Sequence, residues 1–314
     1  MKKESPFEPC RLTRPAFLLA AAAATIRPAA AQDANALHVV CSQVEGQAEA
    51  YYADDLGLFK KAGLSVDIQR SRGGSATVTA MLGGAAQIAC TNPVSLGQAL
   101  QRNVPFVILA TGALWDAKAP SGYAIVAPNS PVRSPKDLSG QIVGIPSLGG
   151  LNQLIMTAFI QNGGGDGASV KFVELPESTT VEALAQGRIA ASYMDEPEFS
   201  AAGDRIRSIG AASDAIAKSF AETVWFTTSD WLSKNKPAAR RAVDALYAAG
   251  AWAMANPEAA AGVIERRLGF KEARARVKFA TRSDPGQVQV LLDAAAKYKF
   301  IPPMHAAAFF WDGK

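Results

Sequence analysis

The side chains that most often carry covalent or metal chemistry are scarce in this chain of 314 residues. There are two histidines, His38 and His305, and three cysteines, Cys10, Cys41 and Cys90. Neither histidine has a Cys, Asp or Glu at metal-ligand spacing, so no zinc site is expected. Ser147, in Gly144-Ile145-Pro146-Ser147-Leu148-Gly149, lacks the preceding glycine of a nucleophile elbow. No Walker loop and no G-x-G-x-x-G occurs, and Gly163-Gly164-Gly165-Asp166-Gly167 lacks the lysine of a phosphate loop and reads as a connector. No cofactor is expected. Adjacent carboxylates occur twice. Asp54-Asp55 suits a solvated helix face, whereas Asp195-Glu196 ends a strand-like run and could face a cleft. The remaining chemistry is non-covalent. Gly73-Gly74-Ser75 and Ser147 with Gly149-Gly150 combine close backbone approach, capping hydroxyls and helix N-termini, which suit an anionic headgroup without any arginine.

The elements that would position these groups alternate regularly. Residues 37–41, 64–70, 86–90 and 104–111 read as strands. Between them lie helices that close near Leu56-Gly57, Ala62-Gly63 and Gly83-Gly84. Further along, residues 141–145, 170–175 and 189–194 read as strands around helices at 152–160 and 181–185. The two stretches align at an offset of 103: Val39-Val40 falls on Ile142-Val143, and Val78, Ala80, Met81 and Gly84 on Val181, Ala183, Leu184 and Gly187. Two similar α/β lobes, each a mainly parallel sheet flanked by helices, explain this economically. A strand at 123–127 follows the first crossover and one at 222–229 follows the second. Helices fill the remainder, with Val243, Leu246, Tyr247 and Trp252 as a core-facing stripe of a helix over 237–254. The expected organisation is a first lobe from residues 32–119, a second from 120–224, and a return to the first over 225–314. Two crossover segments would then join the lobes and permit hinge closure.

Residues 1–31 read differently. A basic stretch precedes the apolar run at 16–26, and Ala29-Ala30-Ala31 follows. This is the order of a secretory signal, with cleavage expected after Ala31 and Sec and Tat routes both open. Eleven apolar residues are too few for a bilayer core of ~30 Å. The chain is formally +4, but this leader holds five basic against two acidic residues. The other 283 residues carry 27 basic and 26 acidic, a net of +1. Nucleic acid is therefore not an expected partner. For Cys41 and Cys90 in an oxidising compartment, buried thiols are favoured over a disulfide.

Several motifs, in order, resemble a known family. They are Tyr51-Tyr52-Ala53-x-x-Leu56-Gly57-Leu58-Phe59-Lys60-Lys61-Ala62-Gly63-Leu64, Gly73-Gly74-Ser75 and Met81-Leu82-Gly83-Gly84-Ala85-Ala86-Gln87. Lys136-Asp137-Leu138-Ser139-Gly140, Leu184-Ala185-Gln186-Gly187-Arg188-Ile189, Glu196-Pro197 and Asn256-Pro257-Glu258-Ala259 continue the series. Together they resemble the periplasmic substrate-binding proteins of ABC importers, of the sulfonate/nitrate/taurine (NMT1/THI5-like) type. Gln87 and Ala190 stand where that family often has Asp. The resemblance implies a two-lobed, type II-like periplasmic-binding-protein fold. It also implies a small-molecule ligand, a permease with its ATPase as partner, a monomer and a periplasmic location.

In parallel α/β sheets ligands bind beyond the carboxyl ends of the strands. The loops there supply the candidate ligand residues: Ser42, Gln43, Glu45, Gly74, Ser75, Asn92, Ser147, Gly149, Asn152 and Glu196. Trp115 and Phe226 near the crossovers could wall an apolar tail, or simply pack in the core, as could Tyr193 and Trp225. Glu45 and Glu196 would repel an anion unless protonated or paired. Sulfonate, carboxylate and heteroaromatic ligands all remain open. Two other functions are carried beside binding. One is a pyrimidine-synthase-like enzyme, disfavoured by the want of a His/Cys-rich motif. The other is a ligand-sensing domain acting through a separate membrane receptor.

Overall fold

A computed structural model describes residues 35–270 and 275–313. The leader reading, residues 1–31, lies outside the described residues. The first sheet is built from β1 (Ala36–Ser42), β2 (Ser65–Ser71), β3 (Ile88–Thr91) and β4 (Phe106–Thr111). Between these strands run α1 (Glu49–Asp55), α2 (Leu58–Lys61), α3 (Gly74–Leu82) and α4 (Pro93–Leu100). The chain then crosses as β5 (Ala113–Asp116) into a second sheet of β6 (Gly122–Val126), β7 (Ile142–Ile145), β8 (Lys171–Glu174), β9 (Ala191–Asp195) and β10 (Arg207–Gly210). Helices α5 (Leu151–Asn162), α6 (Glu177–Ala185) and α7 (Glu198–Ala202) accompany it. It returns as β11 (Ser219–Ala221) and β12 (Val224–Thr228). The remainder is α8 (Ser229–Ala255), α9 (Pro257–Leu268), the short β13 (Lys278–Phe279) and α10 (Pro285–Lys297).

The strand orders are β2-β1-β3-β12-β4 and β8-β7-β9-β6-β10. In each sheet the first three strands are parallel, and the fourth runs antiparallel to both its neighbours. The internal offset of 103 is structural: Val39 pairs with Ile68, and Ile142 with Lys171, each partner displaced by the same 103 residues. A third, antiparallel sheet, β11-β5-β13, holds the crossover strands together.

β1 is an interior strand of the first sheet and is covered on both faces, so it reads as an apolar run. Leu37, Val39 and Cys41 face α1, α8 and α9, while Val40 faces the α3, α4 and α10 side. The helix expected over 237–254 is the main part of α8. It follows a kink at Asn235 (φ −132°, ψ 25°), two residues before Pro237. Proline has no N–H for the preceding turn, so the helix breaks there and restarts. Helix α4 was not foreseen, because Asn92-Pro93 reads as a loop until Asn92 is seen to cap the helix by accepting from Ser95 N at 2.9 Å.

Candidate functional site

The carboxyl ends of both sheets converge on one cleft, whose two ends differ in chemistry. One end is made of hydroxyls and glycines. Ser42 Oγ lies 3.0 Å from Ser71 Oγ, which lies 2.6 Å from Thr77 Oγ1, so β1, β2 and α3 are stitched at their ends. Thr91 Oγ1 donates to Gly74 O at 3.3 Å. A Cβ on Gly74 would stand 2.5 Å from Asn92 Nδ2, 2.6 Å from Ser95 Oγ and 2.9 Å from Thr91 Oγ1. Only glycine lets α3 and α4 approach this closely. From the second lobe, Ser147 Oγ reaches within 3.4 Å of Ser75 Oγ, and Gln98 Nε2 donates to Gly149 O at 2.7 Å. The lobes therefore touch here. Ser95 Oγ is buried at this junction with no hydrogen-bond partner.

The other end is acidic. Glu45, on the loop after β1, donates its backbone N–H to Glu196 O at 3.3 Å, a second contact between lobes. Its Oε1 accepts from Arg276 N and Val277 N at 2.6 and 2.8 Å, while its Oε2 has no partner. Burial pushes this carboxyl up to about 7 despite those two donors. Glu222, between β11 and β12, is pushed up to about 7 by burial and then by Glu45. Glu49, fully buried in α1, rises to about 8 for the same reason, although Trp225 Nε1 donates to it at 2.8 Å. Asp195 is held well above the usual carboxylate range by desolvation, followed by the Glu222 and Glu177 charges. Desolvation raises both Glu177 and Glu198, and the Glu177 charge raises Glu198 further. Facing this group is one guanidinium: Arg276 Nη1 lies 3.5 Å from Glu196 Oε1.

The residues expected to bind ligand divide into three sets. Gly74, Ser75, Ser147 and Gly149 come together at the hydroxyl end, with Ser42 tied to them through Ser71. Asn92 is there too, engaged as the cap of α4. Glu45 and Glu196 meet at the acidic end, both about 1% exposed. Gln43 lies on the loop after β1 and Asn152 in the first turn of α5, both partly exposed. Trp115 and Phe226 pack in the core, fully buried. Trp115 stacks on Phe220 and donates Nε1 to Asp214 Oδ1 at 3.1 Å, and Phe226 meets Phe106 edge-on. Strand pairing turns both inward, β5 against β11 and β12 between β3 and β4. Tyr193 and Trp225 are buried likewise. Glu49, Glu222, Arg276, Ser95 and Gln98 were missed. A glutamate inside the otherwise apolar and aromatic stretch 49–53 was the one available signal.

Two α/β lobes of matching strand order, joined by crossover strands and facing each other at strand carboxyl ends, define the periplasmic-binding-protein fold. The NMT1/THI5-like family model matches residues 46–260, and the chain belongs to that family. No curated protein matches the sequence significantly. Among solved structures, the chain is similar to the alkanesulfonate-binding protein SsuA of Xanthomonas axonopodis pv. citri, bound to MOPS. That match has 12% identity and a TM-score of 0.73 over 88% of this chain and 98% of that one. The periplasmic nitrate-binding protein NrtA of Synechocystis matches with 14% identity and a TM-score of 0.72, over 88% and 85%. The desulfurization enzyme DSZB also shares the fold, with 14% identity and a TM-score of 0.62 over 86% and 95%.

Proposed function

We propose that this chain is an exported solute-binding protein. It would close two lobes over a small organic solute and deliver it to the permease of an ABC importer. The observation that carries this reading is the character of the junction between the lobes. They meet across the strand ends through Ser75–Ser147, Gln98–Gly149, Glu45–Glu196 and Arg276–Glu196, all polar contacts. Short crossover strands, β5 and β11, form the connection behind them. Polar contacts of this kind exchange readily with water, so a ligand that bridges both lobes shifts the open–closed equilibrium by its differential affinity. The leader at residues 1–31 joins this reading as the export signal.

The likeness to DSZB raises an enzyme as the alternative. Cys41 and Cys90 are free, buried thiols. Burial pushes Cys41 up to about 12 and Cys90 well above the usual thiol value. A nucleophilic cysteine needs the thiolate at neutral pH, and neither provides it.

The test is native mass spectrometry of protein expressed with its leader in a Gram-negative host and purified without added ligand. Small-angle scattering before and after removal of the solute accompanies it. A co-purifying small molecule whose loss expands the particle, on a chain cleaved after Ala31, is the expected result. Turnover of the bound molecule, or precursor mass retained with no solute and no change in size, would sink the proposal.

A further inference from the structure

The acidic end of the cleft is more than a pair of carboxylates. Glu45 comes from the loop after β1, Glu222 from the crossover into β12, Asp195 and Glu196 from the end of β9, and Glu177 from the start of α6. Both lobes and the crossover thus send acids to one place. Their electrostatic contacts run in an unbroken chain: Glu196 to Glu45, Glu45 to Glu222, Glu222 to Asp195, Asp195 to Glu177. Among the described residues, the one ion pair that reaches this group is Arg276–Glu196, at 3.5 Å.

Neutral hydroxyls beside the group add an independent observation. Tyr52 Oη is fully buried, lies in the field of Glu45 and Glu49, and has no hydrogen-bond partner. Glu45 Oε2 is buried and unpartnered beside it, and Ser95 Oγ is unpartnered at the hydroxyl end. Buried polar atoms are ordinarily satisfied, and each exception calls for a missing partner. Here Glu45 Oε2 lacks a donor, while the two hydroxyls can each donate or accept.

We infer that the cleft takes an organic cation, a protonated amine or amidine, held between Glu45, Glu196 and Glu222, and does not take a sulfonate or carboxylate. This rests on the solute-binding reading above and narrows it to a charge class. Like carboxylates brought together from two lobes repel, and closure without a counter-charge requires that they take up protons. Burial is the main cause that raises Glu45 and Glu222, and the neighbouring carboxylates, Glu196 for the first and Glu45 for the second, add to it. A cationic nitrogen supplies that counter-charge at neutral pH, and donors with it. An oxyanion at the same place would add to the repulsion.

The experiment uses probes of one skeleton and three charges: benzylamine and benzamidine, benzyl alcohol, and benzenesulfonate with benzoate. A second series on a propyl chain repeats the comparison. Thermal shift and small-angle scattering of the mature chain are read at pH 7.5 and 150 mM salt. Stabilisation and compaction by the amine or amidine of either skeleton, absent with the matching sulfonate and carboxylate, is expected. Glu222→Gln and Glu45→Gln should each weaken cation binding at least tenfold. If one variant fails to fold, the other carries the test.

A sulfonate or carboxylate that compacts the particle overturns the cation inference and leaves the solute-binding reading standing. Cation binding unchanged in both variants also overturns the inference. If no probe of any charge binds and no solute co-purifies, both fall.

Discussion

Glu49 is fully buried in α1, accepting from Trp225 Nε1 at 2.8 Å. The titratable groups around it are Cys41 on β1, Cys90 on β3, Tyr52 on its own helix and Tyr247 on α8. None of these is a cation. Burial raises its carboxyl from 4.5 to about 8, so the folded protein holds it protonated where the unfolded chain would ionise it. A raised value of this kind contributes stability that is complete below pH 4.5. That stability is lost as the pH climbs through about 8. The gap is 3.5 pH units. At about 1.36 kcal/mol per unit, the loss has an upper bound of about 5 kcal/mol. Local relaxation and water entry reduce the working value to about 2–3 kcal/mol.

Glu49→Gln isolates this contribution, because the amide oxygen still accepts from Trp225 and nothing ionises. The assay is thermal unfolding by circular dichroism of both proteins from pH 5 to 8.5 at fixed ionic strength. Glu45 and Glu222, both pushed up to about 7, give each protein a shared downward slope, so the readout is the difference between the two curves. The wild type should lose about 5–10 °C more than the variant across that range, from about 2–4 °C per kcal/mol at this chain size. Parallel curves would refute the burial argument for Glu49, as would a variant that falls faster than the wild type.

Two further outcomes follow from the same geometry. Gly74→Ala puts a methyl within 2.5–2.9 Å of three polar atoms of α4 and its approach, which should destabilise by about 1–3 kcal/mol and weaken ligand binding together. Gly83→Ala meets nothing closer than 3.5 Å and serves as the control in the same denaturant titration, where equal losses would contradict the close-approach argument. Cys41 and Cys90, buried and free, should resist Ellman's reagent in the native protein and both react once unfolded without reductant. Fast native labelling, or no thiol after unfolding, would contradict that placement.

The parts of the fold legible in the sequence were those whose pattern is local. β1 and β7 are apolar runs because each is an interior strand of its sheet, and Gly84 and Gly187 stop α3 and α6 at φ of +72° and +67°. The crossover sheet was not legible. β5, β11 and β13 are two to four residues long and are held by pairing between positions as distant as Leu114 and Lys278. A period cannot be read in so few residues. The same boundary divides the site. Gly74, Ser75, Ser147 and Gly149 carry loop and helix-start signals, so their place at the strand ends could be argued in advance.

Trp115 and Phe226 lie near the crossovers in sequence, but which face they present is set by non-local strand pairing, and it turns them into the core. Glu49 offers only the weak signal of a glutamate in an apolar stretch, since a glutamate in a first helical turn ordinarily complements the helix dipole, and Glu222, between two strands, offers none. Charge shows the limit most sharply. Residues 32–314 are nearly neutral at +1, yet their topology gathers Glu45, Asp195, Glu196 and Glu222 against one arginine. A sum over the chain averages acidic cleft and mixed surface together. The field that a ligand meets is set by which few of those side chains the strand ends bring within reach of one another.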